Sequence, residues 1–183
     1  MPNSRREFIR KSMLLSGAAS FNFPTAKNEK YLLNEDGDRL VLLGTQGGPL
    51  IRSYKQTPSA NLIVYKNIPF VIDTGYGVTF KLREAGINLS TLKYIFITHL
   101  HSDHYLDLGP LLYNAWIAGL SKPITVYAPT GVKQLLFNYW QSNIYDIKTR
   151  IKDEERIDIR TLIMFMKLKR GHFYQTTMLR SVA

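Results

Sequence analysis

Apolar and polar positions change over in short runs along the middle of the chain, and each run has punctuation at its ends. Leu40-Val41-Leu42-Leu43 is a brief apolar run closed by Gly44, and Gly47-Gly48-Pro49 marks a loop after it. Residues 60–65 and 69–72 read as two strands joined by Lys66-Asn67, which predicts a hairpin with Pro69 at a sheet edge. Asp73-Thr74-Gly75-Tyr76-Gly77 predicts a tight turn, and residues 78–85 a helix with Gly86 just past its end. The aromatic and β-branched run 94–98 predicts a buried strand. Residues 106–120 are apolar almost all round, the mark of a buried helix. A strand at 124–127 and a helix at 131–140 follow, whereas beyond Asn143 only 161–165 resembles a strand and no strong helix is expected. Strand–loop–helix alternation after an early hairpin predicts a layered α/β domain. No apolar run approaches the roughly 18 residues of a membrane span.

Composition narrows the chemistry more than the fold. At 45% hydrophobic and 21% charged, the 183 residues are those of a folded chain and not of a disordered one. The absence of cysteine excludes disulfides, thiolate zinc sites, iron–sulfur clusters and a thiol nucleophile. The net charge of +10 is uneven: residues 1–30 carry six Lys/Arg against two acids, 31–144 nine against seven, and 145–183 nine against five. The nearly neutral centre argues against a nucleic-acid partner from charge alone, although such a partner stays open.

Residues 4–11, Ser-Arg-Arg-Glu-Phe-Ile-Arg-Lys, precede a short apolar stretch rich in small residues, the layout of an export signal. Arg5 and Arg6 with Phe8 and Ile9 look like a twin-arginine signal, which implies a periplasmic or exported protein. The alternative is an amphipathic basic first helix in a cytoplasmic protein. Folded structure is expected from Tyr31, after a signal and linker over 1–30.

Three of the four histidines fall within six residues, in Thr98-His99-Leu100-His101-Ser102-Asp103-His104. In an extended segment His99 and His101 point the same way, so their nitrogens can converge on one cation. Asp103 and His104, where the chain turns, can reach a second. Imidazole and carboxylate without thiolate suit zinc, iron or manganese. Two such ions about 3.5–4 Å apart activate water and stabilise charge on a substrate oxygen.

His-x-His-x-Asp-His after a strand ending in Thr resembles the signature of the metallo-β-lactamase fold hydrolases. Leu43-Gly44-Thr45 with Gly47-Gly48, and Val71-Ile72-Asp73-Thr74-Gly75, agree with it. Gly44–Pro49 and Leu108-Gly109-Pro110-Leu111-Leu112 are most similar to the ribonuclease Z and arylsulfatase-like branches, and residues 115–120 lean toward the latter. The resemblance implies an αββα sandwich represented by its N-terminal half over 31–145, with 146–183 a truncated or poorly ordered segment. It implies two Zn2+ ions in the intact fold, the first held by His99 and His101 and the second by Asp103 and His104. Asp103 would also handle a proton of the attacking water, and Asp73 would orient the ligands. For Asp73 the alternative is a turn aspartate bonded to its own backbone.

The family pattern also calls for a third histidine, a bridging aspartate and a final histidine. His172, in a basic segment, is the one histidine left, and it reads as an exposed surface residue. The expectation is thus a truncated zinc-dependent hydrolase of a small sulfate ester or phosphodiester. A ribonuclease Z-like tRNA 3′-end endonuclease and an inactive fragment are the alternatives.

Overall fold

The computed structural model describes residues 37–53, 55–169 and 172–176. They belong to one compact unit built on a single seven-stranded sheet. In chain order the elements are β1 (Arg39–Gly44), β2 (Ala60–Tyr65), β3 (Ile68–Ile72), α1 (Val78–Glu84), β4 (Tyr94–Phe96), α2 (Ser102–Tyr105), α3 (Leu108–Ile117), β5 (Ile124–Ala128), α4 (Val132–Ser142), α5 (Ile144–Glu154), β6 (Ile163–Lys169) and β7 (His172–Thr176). The strands lie side by side in the order of the sequence. The first two pairings are antiparallel, the next three parallel and the last antiparallel.

Lys66 and Asn67 both adopt positive φ, 49° and 60°, as a two-residue hairpin turn that matches strand twist demands. Pro69, expected at an edge, lies inside the sheet, between β2 and β4. It is tolerated because β4 pairs with β3 only from Phe70 onward, so no ladder bond is asked of the proline on that side.

Register lines up one inner row, Val41–Leu62–Val71–Ile95–Val126–Phe165, across six strands. This row joins the core with Val78 and Leu82 of α1, Leu111, Leu112 and Trp116 of α3, Leu136 and Trp140 of α4, and Ile147 of α5. Full burial of each such side chain stabilises by about 1.5–3 kcal/mol. The opposite face carries Leu40, Ile63, Phe70 and Tyr94 in one row and Ile72, Phe96, Tyr127 and Met166 in another. Phe70 stacks on Tyr94 and Phe96 on Tyr127, with ring centroids 5.1 and 4.6 Å apart. Leu40 and Leu42 stay exposed there.

Three expectations need correction. The strand expected over 94–98 is shorter, Tyr94–Phe96: Ile97 N–H still donates to Tyr127 O at 2.8 Å, but the Thr98 N–H goes to the Asp73 carboxylate. The helix expected over 106–120 is shorter, α3 spanning Leu108–Ile117, and the motif residues Asp103 and His104 wind into a separate turn, α2, instead of lying in a loop. Of the segment 146–183, expected to be truncated or poorly ordered, the described residues 146–169 and 172–176 supply most of α5 and both last strands. Ile147 is wholly buried and β6 pairs along its length with β5, so the 145/146 boundary is no structural break. The export-signal expectation falls on residues outside those described.

Candidate metal centre

The candidate ligands gather where β3 and β4 end. Asp73 follows β3 in the left-handed region, at φ 63°, a conformation that Asp and Asn tolerate better than most residues. That geometry turns its buried carboxylate toward Thr98 and α2. Oδ1 accepts from Thr98 N–H (2.8 Å), the Thr98 hydroxyl lies 2.9 Å from both oxygens, and His104 Nδ1 stands 2.8 Å from Oδ2. The turn is stitched to α2 by Thr74 N–H donating to His104 O (2.7 Å) and Asp107 N–H donating to Thr74 O (3.0 Å). Gly75 is obligatory in this stitch, since a Cβ there would sit 2.6 Å from Asp103 O and 2.8 Å from Ser59 O. The reading of Asp73 as a turn aspartate bonded to its own backbone is set aside by these partners, 25 and 31 residues away.

Donor accounting orients the rings. An ionised Asp73 only accepts, so the Thr98 hydroxyl spends its one proton on it and must accept from His99 Nδ1–H, 3.0 Å away. His104 likewise donates from Nδ1 to Asp73. Both rings then carry their lone pair on Nε2, the tautomer assigned by the bonds each makes. His99 Nε2 faces His101 Nδ1 at 3.1 Å, and His104 Nε2 faces Asp103 Oδ2 at 3.6 Å. The His99 and His104 rings are 4.0 Å apart between centroids, which places the two pairs in one cluster. Asp103 is buried, and its Oδ2 accepts from Gly48 N–H at 3.0 Å.

Two nitrogen or oxygen ligands of a tetrahedral zinc are separated by about 3.3 Å, from metal–ligand bonds near 2.0–2.1 Å. Both facing pairs are close to that edge length, and the donor set of imidazole and carboxylate suits zinc. Among the described residues no group of three or more His, Asp or Glu side chains is placed to hold a metal ion. What fits zinc here is two open edges, His99–His101 and Asp103–His104. His172 starts β7, with its backbone opposite Lys169.

Residues to which the sequence analysis assigned no role complete the surroundings. Thr98 relays Asp73 to His99, and Gly48 fixes Asp103. Asp107 takes the Gly77 N–H at 2.8 Å, tying the start of α1 to the α2–α3 junction. Burial pushes its carboxyl above the usual carboxylate range, against the Gly77 N–H, which works the other way. Burial and the Asp107 charge push the Tyr139 phenol up as well. Thr98 was visible as the residue before the motif; the roles of Gly48 and Asp107 depend on contacts 55 and 30 residues distant and left no local signal.

The metallo-beta-lactamase superfamily model matches residues 56–172 of this chain. The chain belongs to that superfamily. Its sequence is 30% identical over 115 residues to ribonuclease Z of Mycolicibacterium gilvum, covering 61% of this chain and 40% of that protein. Against ribonuclease Z of Methanosarcina mazei it is 31% identical over 96 residues, 52% of this chain and 31% of the relative. The chain spans about a third to two fifths of the length of these curated relatives. Among solved structures, the short form of human tRNase Z superposes with a TM-score of 0.53 at 22% identity, covering 72% of this chain and 52% of that one. The Bacillus subtilis metallo-beta-lactamase fold protein YhfI gives 0.52 at 17%, covering 75% and 49%. These superpositions bear on the fold, and the expected metallo-β-lactamase-like architecture is borne out. Members of the superfamily are usually hydrolases and typically zinc-dependent. No helix among the described residues is long and apolar enough to cross a membrane.

Proposed function

We propose that this chain carries the first metal-binding half of a zinc-dependent phosphodiesterase that cleaves RNA, of the ribonuclease Z kind. The observation that carries the reading is the Asp73–Thr98 hub, which turns the Nε2 lone pairs of His99 and His104 inward beside His101 and Asp103. His99 and His101 would hold one zinc, and Asp103 and His104 the second. Zinc bound there would supply an activated water at neutral pH and positive charge for the phosphoryl oxygens. Asp103 keeps Oδ2 on Gly48 N–H and beside His104, which leaves Oδ1 to take the proton of the attacking water. Asp73 holds the two rings in the productive tautomer throughout.

The relatives' name favours RNA over the sulfate ester expected from sequence. Two ligands per ion, against the three or four of a finished site, predict weak and reversible zinc binding. The test is hydrolysis of a tRNA precursor with a 3′ trailer, of bis(p-nitrophenyl) phosphate and of an aryl sulfate, each with added zinc or with EDTA. Zinc-dependent cleavage of the phosphodiesters, lost in His101→Ala, is the expected result. Cleavage that survives His101→Ala, or a preference for the aryl sulfate, overturns it.

A further inference from the structure

The four longer helices all bury their side chains on one side of the sheet. The core there takes Leu62, Val71, Ile95, Val126 and Phe165 from the strands, together with the buried positions of α1, α3, α4 and α5. It includes no side chain from the other side of the sheet. That other side is uncharged at every outward position of β1 to β6, with Asn61 and Thr125 its polar residues besides tyrosine. Leu40 and Leu42 are each 63% exposed on it, Tyr65 49% and Ile63 37%. The ring pairs Phe70–Tyr94 and Phe96–Tyr127 carry the same surface across β3, β4 and β5.

A continuous apolar face of this extent marks a contact surface. The pairings from β3 to β6 are parallel, and parallel sheets are covered on both faces. The size of the face says what can cover it. Five spacings of about 4.8 Å between six strands make it about 24 Å wide, and about five residues per strand make it about 17 Å long. One helix, about 10–12 Å across, would cover at most half of that width. A second sheet fits, about 10 Å away and with its strands within about 30° of alignment. The plane measures about 400 Å2, and the upstanding side chains roughly double that in accessible surface, which is near the roughly 800 Å2 per partner of a standard stable interface.

We infer that a second copy of this chain covers the face, sheet against sheet about a two-fold axis. In such a pairing the patch meets itself, so it must be complementary to itself in size and in charge. The size matches by symmetry. The charge matches because the face brings no like charges together, although each copy carries a net +10. A strongly acidic or basic partner would find no counter-charge on it. Burial of the whole face lays β4, the central strand of seven, over β4 of the second copy. The inference is independent of the phosphodiesterase reading.

The test uses the full chain in EDTA, so that no metal ion bridges two copies. Sedimentation equilibrium at micromolar concentration should give twice the mass of the chain. Leu40→Glu/Leu42→Glu changes two exposed positions outside the core, and by burying unpaired charge it should raise the dissociation constant at least about 100-fold. Phe80→Ser, an exposed apolar change on α1, should leave it unaltered. The chain has no cysteine, so Tyr94→Cys accepts a single spin label on the central strand. Dipolar distances between the two labels should fall below about 25 Å for sheets packed face to face. Pairing edge to edge, through β1 or through β7, would set the two β4 strands seven spacings apart, about 34 Å. A monomeric wild type, a dimer indifferent to the two glutamates, or the longer distance overturns the inference.

Discussion

Replacing Asp73 by asparagine separates the hub's shape from its charge. Asparagine tolerates the left-handed backbone at φ 63° as well as aspartate does, so the turn is not disturbed. Its oxygen can keep the bonds to Thr98 N–H and hydroxyl at 2.8 and 2.9 Å. Its NH2 then replaces Oδ2, which stands 2.8 Å from His104 Nδ1. Two donors cannot face each other there, so His104 must shift its proton to Nε2, and the lone pair beside Asp103 is lost. Disturbing such a supporting contact weakens metal binding by about 10- to 100-fold, which is about 1.4–2.7 kcal/mol. Loss of the charge-assisted bonds adds a stability cost of about 1–3 kcal/mol to the metal-free protein. Zinc affinity is measured by competition with a chromophoric chelator, and the tautomer by long-range proton–nitrogen NMR on 15N-histidine protein. Equal zinc affinity in Asp73→Asn and wild type, with His104 still protonated at Nδ1, would refute the reasoning.

Other outcomes follow from single contacts. Ile147→Ala should lower stability by about 2–5 kcal/mol in denaturant unfolding, because this α5 side chain is wholly buried in the common core; a loss below 0.5 kcal/mol would show that α5 is not docked. Asp107→Asn keeps an acceptor for Gly77 N–H and removes a carboxyl whose pKa burial has raised. With the folded-state pKa above the unfolded one, wild type gains stability as pH falls through it. The asparagine variant should therefore melt at or above wild type near pH 7–8 and lose that advantage toward pH 4, and a gap that widens on acidification would contradict the assignment. A fusion of residues 1–30 to a folded reporter should be exported, and Arg5→Lys with Arg6→Lys should stop it; a reporter retained in the cytoplasm with the native arginines rejects the export reading.

The legible parts of the fold were those with strong local periodicity. The β2–β3 hairpin, its Lys66-Asn67 turn and the apolar α3 all follow from neighbours in the chain. Helix α5 did not, because it buries little and relies on spacing of charges. Arg150 bonds Asp146 and Glu154, each four residues away, while Ile147 supplies the one buried anchor. Pro69 misled in the other direction, since its tolerance depends on where the neighbouring strand begins. At the site the cluster His99, His101, Asp103 and His104 was legible from spacing. The resemblance implied that Asp73 orients the ligands, but its route to two rings was not legible, for it depends on a left-handed turn and a hydroxyl relay between residues far apart in sequence.

The strictly sequential strand order has a consequence for how the protein comes into being. No strand must wait for a partner encoded far downstream, since each pairs with the one made just before it. The sheet can therefore grow from its first hairpin as synthesis proceeds, with the loop-closure cost kept small at each addition. Asp73, Thr98 and the three clustered histidines are all encoded ahead of β5, β6 and β7. The inward-facing nitrogens can thus come together, and meet a cation, before the last three of the seven strands join the sheet.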